Sequence, residues 1–387
     1  MTAVRVAARP TAPCFYQDHS GTTLIFCATA TMAHCVVSDR RRLSLPSVFG
    51  EKMILLKQNS PQANRETWET SSKRGFLYHL HSLLLFTYSD IKTVIVPQAI
   101  FALASYFSHH DLISAPHTGP PSTIIFTLWR LLQMISWLWL HLLILDVANQ
   151  SLTDSIAEDA INKPWRPLPA YRLSQAEARL VLFFAIPLAM ALSLLTGLTA
   201  YLPSTTLICL AWLYNDLEGS SVSIITRNLL NALGLTCFGW GALAVLAGPG
   251  AQLDVPKAAV WMAMTASIIF MTIHVQDFRD EAGDRERGRR TIALVYSPVV
   301  ARGSCALFIL IWSVIAPAFW AGKNTSLAGM NADTHPMYAW WVGAVSVGLG
   351  AGVGGLLLAR RGQKADEHAL TVWCLWVAWV YLLPVLV

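Results

Sequence analysis

The sequence predicts an all-α integral membrane protein, a bundle of about nine transmembrane helices. Composition gives the first reason. Of 387 residues, 54% are hydrophobic and 13% charged, against about 25% charged in soluble domains. The apolar residues also arrive in blocks of about 17–25, the length that crosses a hydrocarbon core of roughly 30 Å as a helix. Backbone groups in lipid find no water, so each block must satisfy its own as a helix. Lastly, the basic residues gather in alternate loops, as the positive-inside bias requires of a multi-pass chain.

Residues 1–75 differ from the rest. They are polar, contain Pro and Ser, and carry the run Arg40-Arg41-Arg42. They read as a poorly ordered extension. The alternatives are a signal-like or membrane-resting segment at 22–37, short for a span, and a mitochondrial presequence, since Arg5 and Arg9 precede any acid. Residues 76–387 form the membrane domain. Tyr78–Ser89 reads as an amphipathic segment lying at the interface. Spans are then expected at 91–108, 123–149, 177–197, 202–215, 227–248, 257–276, 298–320, 337–359 and 368–386.

The basic loops are the one after span 2 (Lys163, Arg166, Arg172), the one after span 6 (Arg279, Arg285, Arg287, Arg289, Arg290) and the one after span 8 (Arg360, Arg361, Lys364); the other side shows Lys257 and Lys323. This bias puts the N-terminus and these loops in the cytosol and the C-terminus on the far side. The endoplasmic reticulum is the expected membrane, a mitochondrial membrane the alternative. The net charge of +5 is spread out; without a basic stripe on a soluble domain, nucleic-acid binding is not indicated. The seven cysteines show no paired spacing suited to zinc. Nothing points to an obligatory protein partner.

Two acidic clusters fall on one membrane face. The loop after span 2 holds Asn149, Asp154, Glu158 and Asp159. Span 6 runs into Asp277, Asp280 and Asp284, spaced i, i+3, i+7, which shares one helix face. Like charges so placed repel unless a cation lies between them. Mg²⁺ takes oxygen ligands, typically one or two carboxylates with phosphate oxygens and water. Two clusters on one face can therefore hold a diphosphate through Mg²⁺, with Lys163, Arg166, Arg172, Arg289 and Arg290 neutralising the remaining charge. An acidic helix end can also be merely solvated, but both clusters are mixed in sign and end spans on the same side.

These residues resemble the UbiA prenyltransferase superfamily, whose members have nine transmembrane helices around a central cavity. The family carries N-D-x-x-D-x-x-x-D after helix 2 and D-x-x-D-x-x-x-D after helix 6. The second pattern matches in full at Asp277, Asp280 and Asp284. The first departs: Asn149 is followed by Gln150, Asp159 matches the terminal acid, and Asp154 and Glu158 supply carboxylates at shifted positions. Asn162-Lys163-Pro-Trp-Arg166-Pro resembles the family's N-x-P-x-R-P. A narrower resemblance, at Asn149-Gln150, Glu158-Asp159, Trp212-Leu-Tyr214-Asn215-Asp216, Arg227-Asn228 and His274-Val-Gln-Asp277, is to fungal membrane-bound terpene cyclases.

The resemblance implies a Mg²⁺-dependent cyclase that ionises farnesyl or geranylgeranyl diphosphate and closes the chain into a terpene hydrocarbon. Trp212, Tyr214, Asn215, Phe238, Trp240, Phe270 and His274 are the expected cavity residues, the aromatic ones offering π faces to a cation and His274 orienting Asp277. The same residue types also serve as ordinary helix packing. A transferase moving the prenyl group to an aromatic acceptor is the alternative. A transporter is disfavoured, because the acids sit at one face and no inverted repeat is visible.

Overall fold

The computed structural model describes residues 74–108, 110, 112–114, 124–327 and 336–387, and two short strands near the start. Those strands, β1 (Phe15–Gln17) and β2 (Thr23–Ile25), pair antiparallel as a small hairpin in a unit of its own, Met1–Ser60. The apolar 22–37 stretch thus contributes three residues to a strand; the rest of the expected extension lies outside the described residues.

The second unit is helical. Its first helix, α1 (Phe76–Thr87), runs through a tightened turn at Tyr88–Asp90 and a widened π turn at Ile91–Ile95 into α2 (Val96–Tyr106). The segment expected to lie apart at the interface is therefore part of one helical run, Phe76–Tyr106. Neither glycine nor proline interrupts Phe76–Val96, and Pro97 follows directly on the π turn, where the backbone pairing is already altered. Then follow α3 (Ile124–Gln150), α4 (Thr153–Asn162), α5 (Gln175–Thr196), α6 (Leu198–Tyr214), the single turn α7 (Gly219–Val222), α8 (Ile224–Ala247) and α9 (Val255–Thr272). A tight turn at Ile273–Gln276 leads into α10 (Asp277–Glu286), followed by the short α11 (Ile292–Val295) and by α12 (Pro298–Leu327), α13 (Pro336–Ala359) and α14 (Gln363–Leu386). β3 (Ile113–Ser114) pairs with β4 (Gln252–Leu253).

Among the described residues eight helical runs are long and apolar enough to span a membrane, and α6, at 17 residues, is a shorter ninth. This is a multi-pass membrane protein. Local signals set several boundaries. Ser174 caps α5 through the N–H of Glu177, whose carboxylate returns to the Ser174 N–H. Ser223 caps α8 through the N–H of Thr226, and Asp254 caps α9 just before its proline.

Helix α8 is central, packing on α2, α3, α6 and α9. Its buried face (Phe238, Ala242, Leu243, Val245 and Leu246) joins Trp137 and Leu138 of α3 in one core. A second core gathers Trp261, Trp320, Trp373, Trp376 and Tyr381 from α9, α12 and α14. Between the π turn at Ile91–Ile95 and helices α3, α6 and α8 lies a cavity. Its mouth lies where α4 packs on α10.

Candidate active site

The first acidic cluster lies on a helix, α4, not in a loop. Asn162, at its C-terminal end, ties it to α10: its side-chain amide donates to the Asp280 carbonyl at 3.0 Å and its oxygen accepts from the Gly283 N–H at 3.1 Å. Only glycine permits this approach. A Cβ at Gly283 would lie 2.3 Å from Asn162 Nδ2 and 2.9 Å from Glu158 Cγ. The two acidic motifs are thus held face to face by one side chain and one missing side chain.

Cations interleave the carboxylates. Arg289 Nη1 donates to Glu158 Oε1 at 2.9 Å and to Asp284 Oδ1 at 3.1 Å, bridging the motifs. Lys163 reaches from the first motif to Asp280 at 3.2 Å. Arg227 of α8 donates to Asp277 Oδ1 at 2.9 Å and to the Tyr214 hydroxyl at 3.0 Å. Arg166 holds Asp159 through both carboxylate oxygens, at 2.8 and 3.0 Å, and reaches Ser89 and Asp90 with its other nitrogen at 2.9 and 3.2 Å. Burial pushes the Asp159 carboxyl above its usual range, and Arg166 and Lys163 oppose that shift. Asn149 donates to Asn215 Oδ1 at 2.8 Å, which leaves its own carbonyl oxygen as an acceptor. Among the described residues no three His, Cys, Asp or Glu side chains converge as a preformed metal cage.

The cavity reached from this mouth is amphiphilic. Asp90, Asn149, Glu158, Lys163, Arg166, Arg227, Arg279, Asp280 and Arg289 line its polar part, and Val94, Leu142, Leu207, Leu210, Leu230 and Phe238 its apolar part. A charged end continuous with an apolar chamber is the shape of a site for a ligand with an anionic head and a hydrocarbon tail.

Residues 101–377 match the UbiA prenyltransferase family. The chain belongs to that family. Fumagillin beta-trans-bergamotene synthase of Aspergillus fumigatus is 34% identical over 246 residues, 62% of this chain and 75% of that protein. Diterpene cyclase eriG of Hericium erinaceus is 26% identical over 288 residues, 73% and 80% of the two chains. Polyprenyl transferase eriF of the same fungus is 28% identical over 222 residues, 56% and 69%. The fold agrees. A UbiA homolog from Archaeoglobus fulgidus bound to DMAPP and Mg²⁺ superposes with a TM-score of 0.50 at 12% identity, covering 79% of this chain and all of that one.

On this UbiA scaffold Asn149, Glu158, Lys163, Arg166, Tyr214, Phe238, Asp280 and Arg289 line the cavity. Asp159, Asp277 and Asp284 do not line it; they are buried beside it, bonded to the lining residues Arg166, Arg227 and Arg289 respectively, and Asn215 accepts a hydrogen bond from Asn149. Other expected residues lie elsewhere. Asp154 is exposed on the outer side of α4, because the helix turns Glu158 and Asp159 inward instead. Arg172 packs its guanidinium over the Tyr78 ring at 4.3 Å and donates to Ser82, clamping α1. Arg290 is exposed, one position out of phase with Arg289. Trp212 is 56% exposed on the outer face of α6. Trp240 and Phe270 stand outside the cavity walls, and Phe270 packs in the α9–α14 core. His274 sets its ring against Phe278, 6.2 Å between centroids; Arg227, not His274, holds Asp277.

Sequence reasoning gave no site role to Asp90, Asp146, Arg227 and Arg279, all cavity-lining; Arg227 entered only within the narrower resemblance and Arg279 only as a loop charge. A signal existed for two of them. Asp90 and Asp146 are lone acids at or within apolar runs, a placement that by default marks function. Asp90 sits where the first helical run tightens before its π turn, an irregularity common at functional sites.

Proposed function

We propose that this chain is a class I terpene cyclase, which ionises an isoprenyl diphosphate at the polar mouth and cyclises the hydrocarbon cation inside. The observation that carries this reading is the cavity itself: both acidic motifs with their interleaved cations at one end, and a leucine-lined chamber at the other. Similarity to named terpene synthases and cyclases supports it.

The residues suit Mg²⁺. Every ligating group at the mouth is an oxygen, and fully buried Asp284 has one carboxylate oxygen without a hydrogen-bond partner. Mg²⁺ keeps water and phosphate ligands and needs no closed protein cage. Asn149, Glu158, Asp159, Asp277, Asp280 and Asp284 are the residues that would hold it. When bound, the metal supplies Lewis-acid charge to diphosphate oxygens.

Breaking the allylic C–O bond sends its electron pair to the departing diphosphate and leaves a cation on the chain. Lys163, Arg166, Arg227, Arg279 and Arg289 face that diphosphate and oppose its growing negative charge. Arg166 is already fixed by three partners and Arg227 by two, so their charge needs no reorganisation. Further in, Leu142, Leu207, Leu210 and Leu230 exclude the water that would capture the cation as an alcohol. Tyr214 and Phe238 present aromatic faces. A distal double bond of the same chain attacks the cation, and loss of a proton gives the hydrocarbon.

A transferase giving the same cation to an aromatic acceptor is the second reading, favoured by the similarity to a polyprenyl transferase. Under either reading the expected membrane is the endoplasmic reticulum, and the loop charges favour a cytosolic motif-bearing face. Metal dependence and two substitutions test the ionisation site. Diphosphate release should stop on chelation, and in Asp159→Ala and Asp277→Ala protein that still reaches membranes. Wild-type turnover surviving either substitution would remove the proposed site.

A further inference from the structure

Six residues of helix α8 line the cavity, Arg227, Leu230, Asn231, Gly234, Leu235 and Phe238, and of these Leu230, Gly234 and Phe238 form one row spaced i, i+4, i+8. Arg227, one turn before this row, is bonded to Asp277 at the charged mouth. From Arg227 to Phe238 the helix advances about 16 Å at its ordinary rise, so the row marks depth into the chamber.

The glycines of α8 differ in what they permit. At Gly241 an added Cβ would lie 2.0 Å from the Trp137 ring, and at Gly239 2.7 Å from Gln98 and Phe101. Packing demands both. At Gly234 the same Cβ meets nothing within 4 Å. Glycine inside a helix is among the least favourable residues, and here no neighbour requires it. What the missing side chain provides is room in the cavity wall.

Phe238, one turn deeper, closes that room. It is 1% exposed and meets Trp137 edge to face, centroids 6.5 Å apart. Trp137 cannot retreat: its indole nitrogen donates to Ser193 at 2.8 Å, and its ring abuts Gly241. The floor is therefore backed by close-packed groups, which resist displacement.

We propose that this row sets the length of isoprenyl chain the enzyme accepts: Gly234 provides space for the tail and Phe238, backed by Trp137, ends it. The inference rests on the cavity being the isoprenyl diphosphate site. It concerns specificity, not the chemistry of ionisation.

The test is competition between geranyl, farnesyl and geranylgeranyl diphosphate in the full-length protein, reading kcat/KM ratios within each variant so that protein level cancels. Gly234→Leu should fold, since its Cβ has open space. It should shift preference toward the shorter substrate by at least about tenfold, within the range a few methylene groups command. Phe238→Ala should shift it at least about tenfold toward the longer one. Leu233→Ala, at an outward position 40% exposed, should leave the ratios alone. Turnover with ratios in both row variants moving less than tenfold overturns the ruler and leaves the ionisation site standing. A wild type that releases diphosphate from none of the three removes the proposed function and the ruler with it.

Discussion

Arg227 is the sharpest place to separate folding from chemistry. It is 5% exposed and binds Asp277, 2% exposed, at 2.9 Å. Arg227→Leu leaves a buried carboxylate without its partner, a loss of about 3–5 kcal/mol when one member of a buried pair is removed. The double variant Arg227→Leu/Asp277→Leu takes both charges away, and such replacements are often neutral or stabilising. Thermal unfolding of detergent-solubilised protein should therefore drop clearly in the single variant and recover most of the way in the double. Activity should not follow. Both variants lose one positive group facing the diphosphate, which for a preorganised donor is worth about 10²–10³ in kcat, and the double variant also loses a motif acid. Tyr214→Phe removes only a hydroxyl contact to Arg227, about 1 kcal/mol. It should leave the pair and most turnover in place. A double variant that recovers stability and turnover together would show the pair to be structural only, and would refute Arg227 as part of the ionisation site.

Gly283→Ala should push α4 from α10 and cut kcat/KM at least tenfold, about 1.4 kcal/mol of barrier, at near-normal protein levels; unchanged turnover would mean that the spacing of the two motifs does not matter. Deleting residues 1–70 should keep turnover within about tenfold at matched protein level, since every cavity-lining residue among the described residues lies beyond them. A glycosylation tag beside Asp284 should stay unmodified in a secretory-pathway membrane, and modification there would reverse the topology.

The apolar blocks revealed the spans because a membrane helix must be apolar over its whole length, and most boundaries read from them fall within a few residues of the structure. The segment Tyr78–Ser89, read as lying apart, is continuous with the following span because no breaker separates them. At the site, spacing put Asp277, Asp280 and Asp284 on one helix face, since i, i+3, i+7 does so whatever surrounds it. It could not choose between Asp154 and Glu158, because the phase of α4 is set by Asn162 gripping α10, a contact 118 residues distant in sequence. Trp212, Trp240 and Phe270 were chosen by residue type, yet helical phase alone decides whether an aromatic faces cavity, core or lipid. Arg227 was visible as a charge at the start of a span. Its role needed the fold, which brings it to Asp277 across 50 residues. Gly234 and Gly241 look alike in sequence, and only their surroundings tell an empty wall from a packed one.

The central claim is that the cation is captured by the same chain that released it. Proximity dominates such a competition, so a cyclase folds the substrate's own double bond to the place where a transferase seats an aromatic ring. Purified protein should be given Mg²⁺ and farnesyl or geranylgeranyl diphosphate with no acceptor, and the extract analysed by gas chromatography and mass spectrometry. The account predicts a cyclic hydrocarbon formed at a rate that phenolic acids neither increase nor divert. Turnover that depends on an added phenolic acceptor, with only slow release of the simple alcohol without it, would contradict cyclisation.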